Sequence, residues 1–316
     1  MDPAPLRVAI VQARPVVDDL SACLDRLESL AKSAADTGAR LACFGETWLP
    51  GYPIWLDICS DVGLWDHKPT QKVYRRLRAN SVVVPGPVTE RLSAIAAAHS
   101  MVMVVGVHEK VEVGPGHGTL FNTLLTFDAD GRLCNHHRKL VPTYTEKLVW
   151  GGGDGDGLGA VSTACGRIGG LVCWEHWMPL ARQAMHESAE QIHVAAWPTC
   201  KEMHQVASRH YAFEGRCFVL AAGSLMCAED LPVELETPKG VRSEPSQLVM
   251  RGGSAIIAPD GRYLAGPVYD EEMILNADID LGEIDSLSLT MDTTGHYARP
   301  DLFGFTVNRS TRKPGT

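Results

Sequence analysis

Apolar positions along this chain alternate between strand-like and helix-like spacing. Leu6–Ala13 alternates around Val8, Ile10 and Gln12, the period of a strand. Asp19 can then cap a helix from about Leu20 to Ala35, with Cys23, Leu24, Leu27, Leu30, Ala31 and Ala34 on one face. Leu41–Phe44 reads as a second strand, Thr89–Ser100 as an Ala-rich helix and Met101–Val107 as a further strand. Asn122–Phe127 and Arg132–His136 flank Asp128-Ala129-Asp130-Gly131, a hairpin pattern, and Ser254–Ala258 with Arg262–Ala265 repeats it around Pro259-Asp260-Gly261. Between the hairpins come strands at Ile168–Cys173, Ile192–Ala196 and Cys217–Ala221, and helices at Pro179–Ser188 and His204–Glu214. Ile274–Ile279 is a last strand. Strands alternate with helices but two hairpins interrupt them, which predicts α/β layers with mixed sheets.

Two stretches interrupt this rhythm. Residues 53–87 carry Trp55, Trp65 and a basic run at Lys72–Arg78, and residues 229–247 are rich in Pro, Glu and Ser. Both read as surface insertions. No linker separates independent units, so the expectation is one domain over 1–316.

The bulk numbers narrow the function classes. Of the 316 residues, 45% are hydrophobic and 21% charged, enough for a sizeable core, and the net charge is −9. An acidic surface repels phosphate backbones and anionic lipid, so neither nucleic acid nor membrane is an expected partner. No apolar run approaches the ~18–20 residues of a membrane span. The N-terminus lacks a basic segment followed by an apolar one, so no signal peptide is expected. The 9 Cys form no C-x-x-C pair and read as free thiols in a reducing compartment, which predicts a cytoplasmic protein.

Three strand ends present reactive side chains: Glu46, Lys139 and Cys173. In open α/β folds, sites gather at the carboxyl ends of strands. A Cys at a strand-to-helix turn gains N–H groups that favour the thiolate and can hold a developing negative charge. Any one of the three, taken alone, reads as readily as a core or surface residue.

Their flanks carry more. Phe44-Gly45-Glu46-Thr47-Trp48-Leu49-Pro50-Gly51-Tyr52-Pro53, then Arg138-Lys139-Leu140-Val141-Pro142-Thr143, then Cys173-Trp174-Glu175-His176 resemble, in order, the three blocks of the nitrilase superfamily. Glu146–Gly151, Met178–Arg182 and Gly295–Asp301 resemble further blocks of its true nitrilase branch, and the likeness runs from about Val8 to Asp301. The resemblance implies Glu46 as general base, Lys139 as electrostatic stabiliser and Cys173 as nucleophile, with Glu146 as a second glutamate that positions substrate and Lys139. It implies a four-layer α-β-β-α sandwich and a homo-oligomer, either a dimer that extends the sandwich or a larger spiral. The implied reaction takes a small-molecule nitrile to carboxylic acid and ammonia through a thioimidate and a thioester, with no cofactor or metal. A nitrile or cyanide hydratase, or an amidase, is the nearest alternative. A non-catalytic assembly protein is a more distant one, and it would not require the Glu/Lys/Cys set. His176 departs from the Asn commonly found after the Cys-Trp-Glu, so the pocket is expected to differ there. Tyr52, Trp150, Trp174 and His176 are the expected substrate-binding residues.

Other patterns carry less. Gly155–Ala160 fits G-x-G-x-x-A, but Gly-rich sequence follows it where a dinucleotide motif needs a helix. Cys134-Asn135-His136-His137 matches no zinc spacing, since adjacent strand residues face opposite ways. No papain-like signature surrounds any Cys.

Overall fold

The computed structural model of the chain describes residues 5–310. Strands β1 (Leu6–Gln12), β2 (Leu41–Phe44), β3 (Val102–Lys110), β4 (Leu120–Phe127) and β5 (Leu133–Arg138) enter one sheet. Strands β6 (Val161–Thr163), β7 (Gly166–Val172), β8 (Ile192–Ala196), β9 (Phe218–Ala222), β10 (Leu225–Cys227), β11 (Leu248–Ile257) and β12 (Tyr263–Tyr269) build a second. The last strand, β13 (Met273–Ile279), returns to the first sheet, whose order is β13-β1-β2-β3-β4-β5. The second runs β10-β11-β9-β8-β7-β6, with β12 on β11. Each sheet centres on parallel pairs, β1–β2–β3 and β7–β8–β9, and is flanked by antiparallel ones. Both are mixed, as the interrupted pattern predicts.

The central strands are apolar on both faces because both faces are covered. Val8, Ile10, Cys43 and Val104 point toward Leu171, Val194 and Leu220 of the other sheet. Ala9, Val11, Ala42, Phe44 and Met103 point the opposite way, onto the helices α1 (Leu20–Asp36) and, further along the chain, residues Leu92 and Ile95. Asp19 caps α1 by accepting from the Ala22 N–H at 3.0 Å. Of the face predicted for α1, Leu30 alone is only partly buried.

The segment 53–87 contains α2 (Trp55–Ile58) and α3 (Lys68–Ala79), followed by α4 (Pro87–His99), which holds Leu92 and Ile95. Trp65 is 94% exposed, while Trp55 and Leu77 are buried. They share a small separate core with Leu231 and Leu235 of the second insertion and Met250 of β11. Arg76 bridges the two segments by binding Asp18 and Glu234. On the far side, α5 (Pro179–His186) and α6 (Glu202–Gly215) place Ala181, Met185, Ala207 and Tyr211 against the second sheet. A short α7 (Gly282–Ser288) follows β13. The layers therefore read helix, sheet, sheet, helix. Among the described residues, no helix is long and apolar enough to cross a membrane.

Candidate active site

Chain turns at the ends of β2, β5 and β7 converge on one point, together with a 3-10 turn at Tyr144–Leu148. The β2 turn carries Glu46. Its backbone N–H donates to the Trp197 carbonyl at 3.2 Å, tying the first sheet to the end of β8 in the second. Gly106 of β3 lets that turn lie close, since a Cβ there would strike the Gly45 carbonyl and the Thr47 amide.

Lys139 follows β5, and its N–H donates to the Asn122 carbonyl of β4 at 2.8 Å. Its buried ammonium donates to Glu46 Oε1 at 3.0 Å and to Glu146 Oε1 and Oε2 at 2.9 and 2.7 Å. Asn122 Nδ2 also donates to Glu46 Oε1, at 2.6 Å, and Tyr52 donates its hydroxyl to Glu146 Oε1 at 2.9 Å. Glu146, which as an isolated loop residue would be solvated, is 3% exposed.

Cys173 opens the 3-10 turn Cys173–Trp177 with a left-handed backbone, φ +52°. Its sulfur and one oxygen each of Glu46 and Glu146 all lie within 4.8 Å of one another. That trio has metal-ligand chemistry, but the Lys139 ammonium already bridges the two carboxylates and supplies the cation they need. Burial pushes the thiol well above its ordinary value, and the Glu46 charge adds to this, so the resting sulfur is protonated. Burial also raises Glu46, to about 7, against the opposing pull of Lys139. Burial alone would lower Lys139, but the Glu46 charge and its other acidic neighbours outweigh that and keep it a permanent cation. Glu46 Oε2 has no hydrogen-bond partner among the described residues.

Glu175 fastens two of these turns to each other. Its carboxylate accepts from the Val172 N–H at 2.6 Å, just before Cys173, and from the Leu140 N–H at 2.7 Å, just after Lys139. His137 Nε2, at 3.0 Å, completes the pair. Burial opposes the charge on Glu175, yet His137 and the two amides hold its carboxyl below the usual range.

Cys173 and Glu146 open onto a cavity of about 860 Å³. Tyr52 and Trp174 stand on its wall beside Ile54, Val141, Met178 and His204. Trp150 and His176, expected there, lie elsewhere. Trp150 is buried beside Tyr52 and donates its indole N–H to His108 Nδ1 at 3.1 Å. His176 sits beneath the Cys173 turn, stacked on Trp197 with ring centroids 4.6 Å apart. A second open groove, of about 760 Å³, is lined by Arg14, Arg26, Arg76 and the acidic groups that pair with them, and none of its lining residues is a thiol.

Sequence reading missed Asn122, Glu175, His193 and Glu190 as neighbours of the site. Asn122 could have been found by extending the first hairpin, except that a bulge between Thr126 and Phe127 shifts the register by one. A bulge leaves no sequence mark here.

Residues 7–288 match the carbon-nitrogen hydrolase family. The chain is 38% identical to an aliphatic nitrilase of Sinorhizobium fredii over 97% of this chain and 96% of that one. It is 37% identical to a bifunctional nitrilase/nitrile hydratase of Nicotiana tabacum, over 98% of this chain and 88% of that one. Among solved structures, a nitrilase-superfamily member from Saccharomyces cerevisiae matches with a TM-score of 0.71 at 17% identity, covering 94% of this chain and 98% of that one. A carbon-nitrogen hydrolase from Helicobacter pylori matches at 0.68 and 18% identity, covering 94% and 96%. These two establish the fold, while the family match and the full-length identities place the chain in the carbon-nitrogen hydrolase family, on its nitrilase branch.

Proposed function

We propose that this carbon-nitrogen hydrolase converts a small nitrile to the carboxylic acid and ammonia, with Cys173 as nucleophile, Glu46 as general base, Lys139 as stabiliser of developing charge and Glu146 as the group that positions Lys139 and substrate. The observation that carries this is the single buried cluster of thiol, two carboxylates and ammonium, which meets a cavity through Cys173 and Glu146 and leaves one Glu46 oxygen without a partner among the described residues. A thiol pushed up by burial needs a base close by, and Glu46, raised to about 7, is matched to that task at neutral pH.

The steps follow from those roles. Glu46 takes the Cys173 proton as sulfur attacks the nitrile carbon. A carbon–sulfur bond forms, one carbon–nitrogen π bond breaks, and the proton reaches nitrogen to give a thioimidate. Lys139 stabilises charge on that nitrogen. Glu46 next deprotonates a water that adds to the same carbon. The carbon–nitrogen bond breaks, ammonia leaves and a thioester remains. A second water releases the acid and returns the thiol. Expelling sulfur from the tetrahedral intermediate instead gives the amide, and the likeness to bifunctional nitrilase/nitrile hydratases supports some amide product. Neither route needs a metal or a cofactor.

Ammonia release from aliphatic, aromatic and arylacetonitrile substrates tests the reading. The wild type is expected to release ammonia and Cys173→Ala none, with melting temperatures close to each other. Trapped substrate mass belongs on Cys173 and not on Cys165 or Cys200. Full activity in the alanine variant would overturn the assignment.

Assembly and location belong to the same reading. Leu64 and Trp65, and Leu180, Met203 and Val206 on α5 and α6, are exposed apolar side chains that support a homo-oligomer. Light scattering measures that directly. The nine free cysteines, eight of them buried, are consistent with a cytoplasmic setting.

A further inference from the structure

Behind the Cys173 turn runs a file of buried side chains that the steps above leave unused. His176 Nδ1 lies 2.6 Å from the Cys173 carbonyl oxygen, and His176 Nε2 lies 2.9 Å from His193 Nε2. His193 Nδ1 lies 2.7 Å from Glu190 Oε1, and Tyr211 donates its hydroxyl to Glu190 Oε2 at 2.7 Å. All four are buried. His193 stacks on Tyr211 with centroids 3.8 Å apart. Gly169 of β7 makes room for Glu190, whose carboxylate would collide with any Cβ there.

The protons of this file can be counted. A carbonyl only accepts, so His176 Nδ1 must donate. A neutral His176 then accepts at Nε2, so His193 donates from its own Nε2. A neutral His193 then accepts at Nδ1, and the group facing it, Glu190, must carry a proton. Were Glu190 ionised, His193 would need both ring protons. Either way, the file holds one proton more than an ionised carboxylate and two neutral imidazoles. Remove that proton and each tautomer reverses, until His176 turns a lone pair toward the Cys173 carbonyl.

The surroundings favour the uncharged arrangement. Burial raises Glu190 to about 8, opposed in part by the Tyr211 hydrogen bond and by His186 of α5. Burial lowers His176 to about 3 and His193 well below its usual value. His186 also faces His193, and its Nε2 pairs with Glu214 of α6. Cys217 faces Glu190, while Glu175 and His137 face His193 from the catalytic side and His204 faces His176. None of these supplies a second proton to the file.

We propose that Glu190, His193 and His176 are positioning residues whose one shared proton keeps His176 donating to the Cys173 carbonyl, and that loss of this proton releases the turn that aims the thiol. This rests on Cys173 being the nucleophile. Glu190→Gln is the decisive variant. Its amide N–H donates to His193 Nδ1, its carbonyl accepts from Tyr211, and it cannot lose the proton.

Wild-type kcat on a nitrile is expected to fall about tenfold through pH ~8, the size of one buried hydrogen bond lost. Glu190→Gln is expected to keep the neutral-pH rate and lose that alkaline fall, with KM unchanged, since no residue of the file touches the cavity. A readout independent of turnover is the melting temperature from pH ~5 to ~9. The native Glu190 binds its proton more tightly than the unfolded chain does, so its stabilisation is full below its ordinary value and is lost as pH rises through about 8. Relative to Glu190→Gln, the wild type is therefore expected to lose melting temperature across that range. An identical alkaline limb in both proteins overturns the proposal, as does a folded but inactive Glu190→Gln. If no nitrile is turned over, the catalytic reading fails and the melting comparison still decides whether the proton is there. A flat melting comparison removes the proton even if nitrile turnover stands.

Discussion

In front of Cys173, an ammonium holds two carboxylates; behind it, a carboxyl and two imidazoles hold one another. Both clusters are buried and both reach the same residue, one at the sulfur side and one at the backbone carbonyl. They differ in how they stay satisfied. The front cluster contains a permanent cation, so its geometry survives changes in pH that alter the charge on Glu46. The rear cluster has no permanent charge and depends on where one proton sits. The proposed reaction needs the first property for stabilising an anion. The second gives a backbone support that avoids placing further charge near the thiol, where another carboxylate would raise it still more.

Three experiments sharpen this contrast, and the strongest removes the cation. Lys139→Met leaves Glu46 and Glu146 buried without their partner, and is expected to cost about 3–5 kcal/mol at neutral pH and all turnover. Acidification should return part of that stability, because the two carboxylates can then protonate. Denaturant unfolding at pH ~5 and ~7.5 reads this, and equal losses at both would show that the ammonium does not hold the cluster together.

A smaller effect comes from the tie between the turns. Glu175→Gln keeps one acceptor oxygen but turns an amide N–H toward the Val172 or Leu140 amide. The expected loss is about 2–3 kcal/mol of stability, the scale of hydrogen bonds to a charged group, with kcat reduced and KM little changed. A variant with lowered affinity and unaltered kcat would place Glu175 outside the alignment of Cys173 and Lys139.

The mildest test is pH alone. Glu46, raised to about 7 by burial, must be ionised to act, so kcat is expected to climb through about pH 7. Its contribution to stability runs the opposite way. The native group sits above its ordinary 4.5, so its stabilisation is full below that value and is lost as pH rises through about 7. Glu46→Gln should abolish activity while flattening that part of the stability curve. An acid limb that stays near 4.5 in the wild type would mean that Glu46 is solvated during turnover.

The layers and the convergent strand ends were legible in the sequence because they follow from local rules. Alternation placed β1, helical spacing placed α1 to within a residue, and the Gly-containing turns placed both hairpins. The blocks around Glu46, Lys139 and Cys173 marked the residues that the fold brings together. What stayed hidden depends on tertiary register. His193 looked like any strand residue in Ile192–Ala196, and Glu190 like a polar residue before a strand. Only the stacking of β7 and β8 against α6 joins them to His176. Trp150 was read as a pocket residue from its block, but its indole finds a partner in His108, away from the cavity. The burial of Trp55 and Leu77 was not legible either, because Leu231 and Leu235, which share their core, lie far along the chain.

The left-handed backbone at Cys173 also bears on how the site could change over generations. A side chain with a branched Cβ is strongly disfavoured there, so threonine is closed as a replacement nucleophile while serine remains open. Glycine suits the conformation better than either and is one base change from cysteine. A gene released from selection for turnover would therefore have a short path to an inert protein with a relaxed turn.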